Sequence, residues 1–116
     1  MDVKTKQQGI KVVADVLDII GGKWRGPILS YICDKPRRFN ELKSILGRIT
    51  SATLSKELRY LESLRMIERV EVSSELSAVY EYRMSEHGKS IKSLIQSVVE
   101  WGLQHRKVVL EEEIIP

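Results

Sequence analysis

TSATLSKELRYLESLRM, residues 50–66, reads as a helix with two unlike faces. Leu54, Leu58 and Leu61 recur at spacings of four and three, so they share one stripe of a 3.6-residue helix and should face a core. The opposite side carries Ala52, Lys56, Arg59 and Ser63, which are small, polar or basic and include no acid. Such a face suits the major groove of DNA: the groove admits an α-helix, Lys and Arg reach guanine acceptors or phosphates, and small residues let the backbone approach. The same pattern also fits an ordinary solvated surface helix, so the flanking sequence decides.

Upstream, Asn40 is a good N-cap for a helix over ELKSIL, with Leu42, Ile45 and Leu46 on its apolar side and Gly47 as its stop. Arg48-Ile49 then leads to Thr50, whose hydroxyl can cap the opening helix. Two short helices joined by a Gly-containing turn form a helix-turn-helix. Further back, residues 10–20 place Val13, Val16, Leu17 and Ile20 at helical spacing, and Gly21-Gly22 ends the run. A second helix is predicted over 26–33, with Pro27 in its first turn, where no amide donor is needed. Arg37-Arg38-Phe39 fits a brief strand.

Downstream of Met66 the period changes from 3.6 to 2. IERVEV and VYEYRM alternate around SSELS and predict a β-hairpin with its tip near Ser73 to Ala78, the wing of a winged helix. Ser85 is placed to cap a final helix whose stripe is Ile91, Leu94, Ile95, Val98 and Trp101 and which can extend to Leu110. Residues 1–9 and 111–116 are expected to fray. The fold class is α+β and mostly helical: a single winged helix-turn-helix domain over 1–116, with a core over about 10–102 and added helices at both ends.

A 42% hydrophobic and 30% charged chain is that of a soluble globular protein. No apolar run approaches the roughly 18 residues needed to span a bilayer, and no secretory signal opens the chain, so a cytoplasmic location is expected. Positive charge is concentrated around the opening helix: residues 34–70 carry nine basic and five acidic side chains, residues 71–116 five and eight. That is the footprint of a polyanion-binding surface. The single cysteine, Cys33, lies in an apolar run and reads as packing. His87 and His105 have no zinc-type spacing with other ligands, so no metal is expected. Without a Gly-rich phosphate loop, nucleophile elbow or acid pair, neither catalysis nor a cofactor is expected.

Ile20-Gly21-Gly22-Lys23-Trp24, then Pro36-Arg37-Arg38-Phe39-Asn40-Glu41-Leu42, then Leu54 with Leu58-Arg59-Tyr60-Leu61-Glu62, then Glu86-His87-Gly88 resemble the HxlR-type transcriptional regulators over about residues 10–102. The resemblance implies a homodimer on a pseudo-palindromic operator, with one opening-type helix per subunit in successive major grooves. By position, Thr50, Ser51, Ala52 and Thr53 start the recognition helix and Ser55, Lys56 and Arg59 follow. Arg37 and Arg38 correspond to a phosphate-clamping pair. Val13, Val16 and Leu17 with Ile91, Leu94, Ile95, Val98 and Trp101 correspond to the dimer interface.

Three positions depart from the family. Lys11 stands where many members have a sensing cysteine before the first helix. Ala52 stands where similar proteins often have lysine. The wing carries Glu75, an acid where a minor-groove arginine would be useful. The DNA-binding set expected is therefore Arg37, Arg38, Thr50, Ser51, Thr53, Ser55, Lys56 and Arg59, with double-stranded DNA and a second copy as partners and no membrane. No small-molecule effector is named by the sequence. The rival reading is a winged-helix module that docks a protein through its C-terminal helix.

Overall fold

The structure, a computed structural model, describes residues 2–73 and 78–114. Helix α1 (Val3–Ile20) begins well before Ile10, because the Asp2 carboxylate caps it by accepting the Thr5 amide at 2.8 Å. The segment expected to fray at the N-terminus is thus helical from Val3. Gly21 follows in extended conformation and Gly22 adopts φ +71°, a left-handed geometry that favours glycine. Helix α2 (Arg25–Asp34) holds Pro27 in its first turn and buries Ile28, Leu29 and Ile32.

Strand β1 (Arg37–Arg38) runs straight into α3 (Phe39–Leu46), so the cap is Arg38 and not Asn40. Glu41 fixes that register by accepting the Arg38 amide at 3.3 Å. Gly47, at φ +68°, and buried Ile49 form the turn into α4 (Ser51–Ser63). Helix α4 buries Leu54, Leu58 and Leu61, the stripe read from the sequence. It ends in a Schellman arrangement: the Met66 amide donates to Leu61 O at 3.0 Å and the Arg65 amide to Glu62 O at 2.9 Å. Arg65 takes the left-handed position, at φ 61°, that glycine usually fills.

Strands β2 (Ile67–Ser73) and β3 (Val79–Met84) form the antiparallel hairpin, and β1 adds to the other edge of β3, giving the order β1-β3-β2. Of the face expected to carry Tyr80, Tyr82 and Met84, the latter two are buried, while Tyr80 is exposed beyond the edge of the core. The tip of the expected wing, residues 74–77 with Glu75, lies outside the described residues. Buried Ser85 closes the next turn, donating from Oγ to Arg65 O at 2.6 Å and accepting the Gly88 amide at 2.8 Å. A side chain at Gly88 would meet Met66 O at 1.9 Å, which accounts for the glycine. A short 3-10 turn (Gly88–Ser90) then leads into α5 (Ile91–Ile114).

The core lies where α2, α3, α4 and the sheet converge. The two terminal helices extend beyond it. No residue of α1 is fully buried, and the radius of gyration is 17.5 Å, against about 13 Å for a compact chain of this length.

Candidate nucleic-acid interface

Helix α4 starts with Thr50, whose hydroxyl accepts the Thr53 amide at 3.1 Å and donates to the Thr53 hydroxyl at 2.9 Å. Capping occupies one first-turn amide. The neighbouring ones at Ser51 and Ala52 remain at the positive end of the helix, where an anion is favoured. Ser51, Ala52, Lys56 and Arg59 are exposed, and Thr53 and Ser55 are half-buried. The buried leucine stripe turns Lys56 and Arg59 away from the core on one outward face that holds no acid.

The two arginines of β1 part company, as neighbours on a strand must. Arg38 is exposed. Arg37 is 8% exposed, and its guanidinium is committed within the fold: Nε donates to Tyr31 O at 3.1 Å, Nη1 to Glu41 at 3.1 Å and Nη2 to Asp34 at 2.9 Å. The expectation of a phosphate-clamping pair is therefore corrected at Arg37, which fastens the end of α2 to the start of α3. The bonds from Arg37 and from the Arg38 amide hold the Glu41 carboxyl below the usual carboxylate range.

Of the residues assigned to a dimer interface, Val13, Leu17, Leu94, Val98 and Trp101 are exposed and Val16 is half-buried. Ile91 is buried in the chain's own core and Ile95 packs half-buried against it. The assignment of Ile91 is corrected: the first turns of α5 lie across α2, which buries Ile91 and half-covers Ile95, and the helix leaves the body beyond them. Trp101 stacks on His105 with ring centroids 5.0 Å apart.

Cys33 is half-buried, and burial pushes its thiol above the ordinary value. It lines a cavity of about 660 Å³ with Ile32, Lys35, Met84 and Lys92, to which no residue of α4 contributes. The flank of α4 toward α1 holds a group that sequence reading missed. Arg25 Nε donates to Glu57 at 2.8 Å, and its guanidinium carbon lies 4.1 Å from the centre of the Tyr60 ring. Glu57 and Tyr60 are 32 and 35 residues away in sequence, and no local pattern links them to Arg25.

A helix-turn-helix with a sheet-borne hairpin and a basic outward helix is thus in place, and comparison with known proteins places it. The model of the HxlR-like helix-turn-helix family matches residues 19–109. The chain belongs to that family. Among its relatives, the uncharacterized HTH-type transcriptional regulator YdeP of Bacillus subtilis (strain 168) is 36% identical over 94 residues, 81% of this chain and 73% of that protein. The HTH-type regulator YtcD of the same organism is 34% identical over 103 residues, 89% of this chain and 80% of that protein. Among solved structures, the redox regulator HypR in its reduced form superposes with a TM-score of 0.76 at 35% identity, covering 86% of this chain and 97% of that one. This HxlR-type protein is a DNA-binding transcription regulator.

Proposed function

We propose that this HxlR-type regulator acts in the cytoplasm as a homodimer on a pseudo-palindromic operator, with α4 of each copy in one of two successive major grooves. The observation that carries the reading is the outward face of α4: exposed Lys56 and Arg59, a first turn without acid, and amides of Ser51 and Ala52 at its N-terminal end. Arg38, Lys56 and the helix end supply salt-dependent affinity, and Thr53, Lys56 and Arg59 read base edges. Thr50, Ser51 and Ser55 border the same groove. A second copy is supported by the apolar residues that project from the body, with Val13 and Leu17 each 58% exposed and Trp101 69% exposed. Among the described residues, no helix is long and apolar enough to take that surface across a membrane.

The redox chemistry named for HypR is not carried to this chain, whose single cysteine is half-buried, with burial favouring the thiol over the reactive thiolate, and whose α1 has Lys11 at the expected sensor position. Selection of DNA from a random pool by the purified protein tests the proposal. Enriched fragments should contain two inverted half-sites with centres about 10 base pairs apart. Lack of enrichment, or enrichment of a single asymmetric site, would refute it.

A further inference from the structure

No residue of α1 is fully buried, and the half-buried ones, Val16, Ile19 and Ile20, all lie near its C-terminal end. Ile19 and Ile20 pack half-buried against the core. Asp18 is held by polar contacts. Arg25 Nη1 donates to the main-chain oxygen of Asp18 at 2.7 Å and lies 3.4 Å from its carboxylate. The Tyr60 hydroxyl donates to the other carboxylate oxygen. The Asp18 carbonyl is among the last four of α1, which have no partner within the helix, so the guanidinium caps α1 from outside. The same guanidinium holds Glu57 and covers the Tyr60 ring. Those residues sit three apart on one flank of the recognition helix.

Between α1 and Arg25 lies Gly21-Gly22, with Gly22 in the left-handed conformation, a short joint of the kind that hinges use. A pivot and a tie across it form one unit. The tie is uneven. The Asp18 carboxylate is 60% exposed and its ion pair is weak, whereas Arg25 and Glu57 are 23% and 15% exposed and bonded at 2.8 Å. The grip on α1 comes from the main-chain carbonyl, and the grip on α4 from Glu57. Without the guanidinium, Asp18 and Glu57 would be like charges on opposite sides of the gap, and α1 would move away from α4.

We propose that Arg25 is a positioning residue that latches α1 to the recognition helix, so that the swing of α1 about Gly21-Gly22 and the presentation of α4 are a single setting. The proposal rests on α4 reading DNA, as argued above. With α1 gripped by a second copy, the latch fixes the separation of the two recognition helices.

The test uses the full chain with Arg25→Lys, which keeps the charge and loses the fork, Arg25→Met, which keeps the stem, and Glu57→Gln, which is isosteric. Hydrogen exchange is read at the last turn of α1 and at residues 57–60, and affinity is measured for the selected operator and for a random duplex of equal length. Each variant should exchange about tenfold faster at both places, the weight of one charge-assisted hydrogen bond. Exchange in α3 and β3 should stay unaltered, and the preference for operator over random duplex should fall by a similar factor. If Arg25→Met does not fold, Glu57→Gln decides. Unchanged exchange, or loosened exchange with the operator preference intact, overturns the latch. If the wild-type protein itself prefers no operator, it is the DNA reading that fails, while the exchange measurement still decides whether α1 and α4 are tied.

Discussion

Alanine at Arg37 and alanine at Arg38 should have opposite effects. The Arg37 side chain is 10% exposed, so truncation takes both stem methylenes beyond Cβ out of a packed site and leaves the Tyr31 carbonyl without its donor. The methylenes are worth about 0.8 kcal/mol each and the hydrogen bond about 1, giving a loss of about 2–3 kcal/mol. The ion pairs to Asp34 and Glu41 add little, because Asp34 is 72% and Glu41 38% exposed. Urea unfolding followed by circular dichroism, at one fixed protein concentration, should show a lower midpoint with the same slope for Arg37→Ala. Its DNA affinity should keep the wild-type dependence on salt. Arg38→Ala should leave the urea midpoint within about 0.5 kcal/mol of wild type and lower the slope of log K against log salt by about one unit. An unmoved midpoint and a reduced salt slope for Arg37→Ala would refute the assignment, since they would mean that this guanidinium reaches phosphate instead of fastening α2 to α3.

Arg59→Ala should cost about 1–3 kcal/mol of operator affinity and relax specificity at one base position, as read by competition with single-base operator variants; equal weakening for every sequence would reassign Arg59 to phosphate. Arg65→Gly should raise stability by about 0.5–1 kcal/mol, because the left-handed position at φ 61° costs a side-chain-bearing residue more than the added freedom of glycine in the unfolded chain; a fall in the urea midpoint would contradict this. The Glu41 carboxyl is held down by its bonds from Arg37 and the Arg38 amide, so its contribution to stability is complete above the ordinary glutamate value of about 4.3 and is lost as pH falls through the lower folded value. Carboxyl NMR titration should find that midpoint below the ordinary one in the wild type and raised toward it in Arg37→Ala.

Features governed by one local period were legible in the sequence. Leu54, Leu58 and Leu61 form the buried stripe of α4 as read, and the change to period two after Met66 marks the hairpin. Features set by where an element leaves the body were not. Ile91, Leu94, Ile95, Val98 and Trp101 form one continuous stripe, yet Ile91 is core and Trp101 is exposed because only the first turns of α5 cross α2. A two-residue strand is too short to declare its alternation, so Arg37 and Arg38 read alike although one points in and the other out. Asn40 looks like a better cap than Arg38, but Glu41 at the third helical position and the pairing of Arg38 with Glu81 of β3 set the start of α3. Arg25, Asp18, Glu57 and Tyr60 meet only through tertiary packing, with no spacing to announce them.

A helix of 18 residues with no residue fully buried by its own fold would, in the homodimer proposed above, make gene dosage part of the switch. In that proposed dimer a second copy closes over α1 and the outer part of α5, so a lone chain would be incomplete and operator-competent protein would form by mass action. At low abundance its amount rises as the square of the chain synthesised, and only at high abundance does it become proportional. For such a dimer, halving expression would more than halve promoter occupancy when the regulator is scarce, a steepness that would need no effector and would reside in the uncovered apolar surface of two helices.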